Sequence, residues 1–91
     1  MRITKAILEA KIATINKLTG SPAEPYTKGA DGSFKANIRN YNLSCAYGGY
    51  SLQRMVGEGG GVTCPLNTGH VPARELALAL DGFIAGLRAA Q

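Results

Sequence analysis

The chain has no tryptophan, one histidine and two cysteines among its 91 residues, and each scarcity removes a class of function. His70 stands alone, and Cys45 and Cys64 form no CxxC, so the sequence offers no ligand set for a structural zinc ion. Two cysteines make no disulfide framework, and both read as small reduced side chains of a cytosolic protein. The six acids, Glu9, Glu24, Asp31, Glu58, Glu75 and Asp81, are dispersed, with no pair spaced for glycoside chemistry. Ser44 and Cys45 lack the sharp turn of a nucleophile elbow. No GxxxxGK[ST] or GxGxxG occurs, and no cofactor motif appears. These absences point away from an enzyme. Wholly apolar runs are only a few residues long, so nothing reads as a membrane span. Met1-Arg2-Ile3 leads straight into a helical pattern, which does not read as a secretory signal.

What is present fits one small domain spanning residues 1–91. The hydrophobic fraction is 45%, enough for a globular fold. A chain of this size buries only roughly 60–70% of its extended surface. A homo-oligomer, a dimer or larger, is therefore the expected way to bury more, with the Phe83/Ile84/Leu87 helix near the interface. The net charge of +4 favours anionic partners. The basic residues are scattered from Arg2 to Arg88, so a nucleic-acid track is not signalled.

The expected fold is α+β: an N-terminal helix, a three- to four-stranded antiparallel meander and a C-terminal helix. Over residues 4–19, Ile7, Leu8, Ile12, Ile15 and Leu18 recur at helical spacing. Thr4 is a candidate N-cap, Gly20 a candidate left-handed terminator, and Pro22 forbids continuation. Asp31-Gly32 marks a turn between "PYT" and "SFKANI", where Phe34, Ala36 and Ile38 share a face. Two further strands are expected, one carrying Tyr41, Leu43, Cys45 and Tyr47 on one face, the next Tyr50, Leu52, Arg54 and Val56. Gly48-Gly49 turns between them and "GEGGGV" ends the sheet. Pro72 fits the first turn of the last helix, whose stripe is Leu76, Leu80, Phe83, Ile84 and Leu87. Gly82 and Gly86 suit close helix contact.

The stretch from Ala36 to Val62 concentrates tyrosines, arginines, amides and glycines. Such a mixture suits a twisted sheet with tight turns, and it also suits a pocket that stacks a flat ring and holds an anion. Tyr26, Tyr41, Tyr47 and Tyr50 offer stacking faces. Arg39, Arg54 and Arg74 are candidate phosphate clamps. Arg74 lies near a helix start that already favours an anion. The run Gly57-Glu58-Gly59-Gly60-Gly61 offers bare backbone for close approach. Each tyrosine also suits core packing, and Arg74 also suits pairing with Glu75 or Asp81.

The string "LTGSPAEPYT…ANIRNYNLSCAYGGYSLQRMVGEGGGV…GHVPARELALALDGFIAGL" resembles a family of small phage and prophage proteins, the Thoeris anti-defence sponges that sequester cyclic ADP-ribose isomers. The resemblance spans Leu18 to Leu87. It implies a non-enzymatic protein in the cytoplasm of an infected bacterial host that binds a cyclic nucleotide signal without cleaving it. It also implies a homo-oligomer, in some members with a second site for cyclic oligonucleotides. By motif, Tyr47 of "AYGGY" would stack the adenine and Arg74 of "VPARE" would hold phosphate. The implied site comprises Tyr47, Arg74, Gly57, Glu58, Gly59, Tyr26 and Arg54. Gly57 departs from the pattern, because relatives commonly carry asparagine before "EGGG". Two other readings stand on the residues alone. A phage nucleic-acid-binding or protein-inhibitor module fits the charge but not the neutral "YNLSCAYGGYSL". A small nucleotide-cleaving enzyme lacks an acid/base constellation.

Overall fold

A computed structural model of the chain describes residues 2–90. Its order is α1 (Lys5–Thr19), β1 (Tyr26–Lys28), β2 (Phe34–Ala36), β3 (Tyr41–Ala46), β4 (Gly49–Met55), β5 (Val62–Thr63) and α2 (Ala73–Ala89). The fold is α+β, with an antiparallel sheet flanked in sequence by the two helices.

Local chemistry sets the ends of α1. The Thr4 hydroxyl accepts the Ile7 N–H at 3.3 Å, satisfying one of the helix's orphan donors. At the other end Gly20 takes φ +67°, and the Ser21 N–H donates to the Asn16 carbonyl at 2.9 Å. This is the wrapped-back ending that a left-handed residue permits. Leu8, Ile12 and Ile15 of α1 are buried against Leu76, Ala77, Leu80 and Ile84 of α2, with Tyr41 and Leu52 of the sheet completing the cluster. Leu80 is fully buried, and truncation to alanine should cost about 2–5 kcal/mol.

The helices run parallel. Ile3 and Ile7 lie beside Arg74 and Leu78. Lys11 Nζ meets Asp81 Oδ1 at 2.6 Å, and Thr14 lies beside Ala85 and Arg88. Both N-termini therefore sit at one end of the molecule, so their partial positive charges add there.

The strands form two sheets rather than one meander: a β1–β2 hairpin, and a three-stranded sheet in the order β3-β4-β5. The glycine-rich run does not end the sheet; it is the hairpin that returns β4 to β5, with Met55 opposite Val62. The β3–β4 turn also falls one residue earlier than expected. Ala46 pairs with Gly49, leaving Tyr47 and Gly48 at the corner with φ +54° and +72°, the primed turn that suits strand twist. Tyr47 is thus a corner residue rather than part of a strand face. Of Phe34, Ala36 and Ile38, only Ala36 is buried; Ile38 lies beyond the end of β2, and Phe34, within it, is exposed. Ile84 is buried and Phe83 and Leu87 pack against the monomer's own core, so this face is filled within the chain. Gly82 and Gly86 lie on open surface.

Asparagines tie the irregular segments to the sheet. Asn16, buried on α1, donates from Nδ2 to the Tyr41 carbonyl at 2.9 Å, and its Oδ1 accepts the Tyr41 N–H at 2.8 Å. Fully buried Asn40 donates to the Pro22 carbonyl at 2.8 Å. Its own Oδ1 accepts from Asn42, which in turn accepts from Gln53. Asn37 donates to the Glu24 carbonyl at 2.9 Å. Asn16, Asn37 and Asn40 thus satisfy backbone that the sheet ladders do not reach, while Asn42 and Gln53 extend the network from side chain to side chain.

Candidate functional site

The residues singled out from sequence fall into two groups at opposite ends of β4. The first group surrounds the Tyr47 corner. Tyr47 is 97% exposed, and its ring stands edge-on to His70, with centroids 5.7 Å apart and an interplanar angle of 72°. His70 Nε2 lies 2.9 Å from the Ser44 hydroxyl. The next residue, Val71, exchanges backbone hydrogen bonds with Tyr50 at 2.8 and 2.9 Å. This bridge delivers the chain to Pro72 and the start of α2, so Arg74 begins its helix beside the same end of the sheet. Lys5, in the first turn of α1, lines a cavity with Gly48 and Gly49. Tyr47, His70, Lys5 and two helix N-termini therefore share one end of the molecule. His70 was not picked out by the sequence as a site residue. Its bond to the Ser44 hydroxyl spans 26 residues, a distance that local spacing does not encode.

Arg74 is exposed and lines a cavity with Ile3, Ile7, Lys11 and Asp81. Asp81 bonds Lys11, and among the described residues Arg74 forms an ion pair with neither Glu75 nor Asp81, the two partners that the sequence offered. Pro72 occupies the N-cap position of α2 and supplies no capping side chain. The early N–H groups of the helix are left without that partner.

The second group lies at the far end of β4, about six residue steps from the corner, or roughly 20 Å. Here Gly57, Glu58, Gly59, Gly60 and Gly61 make a tight loop. The Gly60 N–H donates to the Gly57 carbonyl at 3.0 Å, and the Gly57 N–H to the Gly61 carbonyl at 3.3 Å. Two N–H groups of the run are thus spent within the loop. Gly60 takes φ +97°, and a Cβ there would lie 3.1 Å from the Tyr26 hydroxyl. Tyr26, on β1, is half exposed and leans on this loop. Glu58 is exposed.

Arg54 is half-buried, its guanidinium 5.4 Å from the centre of the Tyr41 ring, a cation–π contact worth about 0.5–2 kcal/mol. Phe83 meets the same ring edge-on at 5.8 Å. The Arg54 Nε is buried without a hydrogen-bond partner among the described residues, so this arginine holds an unused donor. Cys45 and Cys64 are both free.

Among the described residues, no cluster of three or more His, Cys, Asp or Glu could hold a metal ion. No helix among them is long and apolar enough to cross a membrane. The Asp31 carboxyl, on the β1–β2 turn, titrates below its ordinary range. It is held there by the Ser33 hydroxyl and then by the Ser33 N–H. Comparison with protein families, curated proteins and solved structures gave no match to this chain.

Proposed function

We propose that this chain is a phage anti-defence protein that binds and sequesters a cyclic nucleotide of the cyclic ADP-ribose class without cleaving it. The observation that carries this reading is Tyr47. A non-glycine residue at φ +54° costs about 1–2 kcal/mol, and Asn or Gly is the usual solution at such a corner. A tyrosine there recovers nothing by burial, since its ring is 97% exposed. Folding gives no reason for the choice, whereas a stacking platform does. Lys5, Arg74 and the paired helix N-termini supply the positive field that a pyrophosphate needs.

The second group is brought into the same reading by oligomerisation. A compact nucleotide cannot touch both ends of β4 in one chain. A site that uses Gly57, Glu58, Gly59, Tyr26 or Arg54 together with Tyr47 and Arg74 takes the two groups from different copies.

Calorimetric titration with a cyclic ADP-ribose isomer, followed by heating and mass spectrometry, tests the proposal. Intact ligand should be recovered; a cleaved product would make the chain an enzyme. Loss of one stacked base costs about 1–3 kcal/mol, so Tyr47→Asn should weaken binding roughly tenfold to a hundredfold while leaving the fold as stable or more so. Arg74→Ala should lose a similar factor. Arg88→Ala, near the C-terminus, controls for general charge, and equal small losses at both arginines would reduce the effect to diffuse electrostatics.

A further inference from the structure

Strand β3 is an outer strand of its sheet, and half of its backbone faces away from β4. Ala46 and Gly49 close the two-residue corner, so hydrogen bonding to β4 falls on alternate residues: Ala46, Ser44 and Asn42. Tyr41, Leu43 and Cys45 direct their N–H and C=O groups outward. At Tyr41 both groups are taken by the Asn16 side chain, at 2.8 and 2.9 Å. At Leu43 and Cys45 no partner meets them among the described residues. An open edge of this kind is a template for another strand.

The edge lies in a trough. Helix α1 runs alongside β3 in the opposite sense, with Asn16 at the Tyr41 end and Lys5 at the Cys45 end. A cavity of about 380 Å³ separates Glu9, Ile12, Ala13 and Glu24 from β3 residues 41–43. A second, of about 430 Å³, lies between Lys5 and the Cys45 end of the strand. Lys5 lines both, so the two cavities follow one another along the edge of β3. A helix wall beside a free strand edge is an arrangement in which extended peptides add as a strand.

We propose that this trough binds an extended peptide segment of another protein as an extra strand antiparallel to β3. Leu43 and Cys45 supply two donors and two acceptors. The trough is charged unevenly, with Lys5 at one end and Glu9 and Glu24 toward the other. An antiparallel segment starts beside Cys45 and finishes beside Tyr41. Its matching side chains read acid-x-apolar-x-base: the acid meets Lys5, the apolar residue sits opposite Leu43 against Ile12 and Ala13, and the base meets the glutamates.

Panning a display library of random nine-residue peptides on the folded full chain tests this. A synthetic peptide of the resulting consensus then serves as the probe. The expected consensus is acid-x-apolar-x-base, and amide exchange at Leu43 and Cys45 should slow on binding. Lys5→Glu should weaken the peptide about two- to fivefold, and exchanging its acid for a base should restore affinity. Cys45→Pro removes an outward donor and spares the β3–β4 ladder; it should weaken binding about tenfold or more. Should that variant not fold, methylating the peptide nitrogen opposite Leu43 should still cost about three- to tenfold. A consensus of another pattern, or binding indifferent to N-methylation and to Lys5→Glu, would overturn the proposal. So would exchange at Leu43 and Cys45 that is already slow in the free protein and slower at higher concentration, because a second copy would then hold the edge.

Discussion

The loops Gly29–Ser33 and Gly57–Gly61 have the same backbone and opposite furnishing. In each, the first residue's N–H donates to the fifth residue's carbonyl, and the fourth residue's N–H to the first residue's carbonyl. The fourth residue takes positive φ in both, +85° at Gly32 and +97° at Gly60. The first loop is laced by side chains: Asp31 Oδ1 accepts from the Ser33 hydroxyl at 2.7 Å and from its N–H at 3.1 Å. The second has glycine at both corresponding positions, Gly59 and Gly61. Both loops have glycine at the first and fourth positions, and the first loop shows that the turn accepts ordinary residues at the third and fifth. Gly59 and Gly61 are therefore not explained by the turn. Bare backbone at that point suits close approach by a ligand or by a second copy of the chain.

The largest effect should come at the shared fourth position. Gly60→Ala should destabilise the fold by about 2 kcal/mol, because it strains a left-handed residue and meets the Tyr26 hydroxyl. Gly32→Ala, with open space around it, should cost about 1 kcal/mol. Urea midpoints at constant slope measure both, and equal losses would mean that the Tyr26 contact is without weight.

A smaller effect of opposite sign is expected next door. Gly59→Ala and Gly61→Ala should each stabilise by about 0.4–1 kcal/mol, since their φ values lie outside the left-handed region and the unfolded chain loses freedom. If either variant also loses nucleotide binding or oligomerises less, the bare backbone has a function. If both bind and assemble as the parent does, the glycines are incidental and the comparison loses its point.

The smallest effect concerns the lacing. Because the Asp31 carboxyl titrates below its ordinary value in the folded state, its contribution is present above the unfolded value and fades as pH falls through the lower folded one. Carboxyl shifts followed by NMR should show a depressed titration for Asp31 that returns toward the ordinary range in Ser33→Ala. An Asp31 titration unchanged by Ser33→Ala would remove the lacing from the comparison.

Both helices were legible because a 3.6-residue period over fifteen or more positions is a strong signal, and Thr4 and Gly20 are well-known ends. The corner at Tyr47 was not legible. "YGGY" invites a turn on its two glycines, and only the pairing of Ala46 with Gly49 moves it onto a tyrosine. The glycine run read as a sheet end because its return strand, Val62–Thr63, is two residues long. Site residues were recognisable by type, as rings, guanidiniums and bare backbone. Their division between two ends of β4 depends on register, and the role of the asparagines depends on partners up to 25 residues away. Neither is written in local spacing.

The Asn16 clamp on Tyr41 bears on how the chain avoids misfolding. Strand β3 could slide by one residue against β4, and a slide of that size would turn Tyr41 and Leu43 to the wrong face. It would also leave a buried amide opposite a backbone position whose groups are committed to β4, a penalty of about 1–3 kcal/mol. The clamp therefore ties the register of β3 to the seating of α1: a strand displaced by one residue leaves the helix amide without its partner, and the misregistered fold carries that cost.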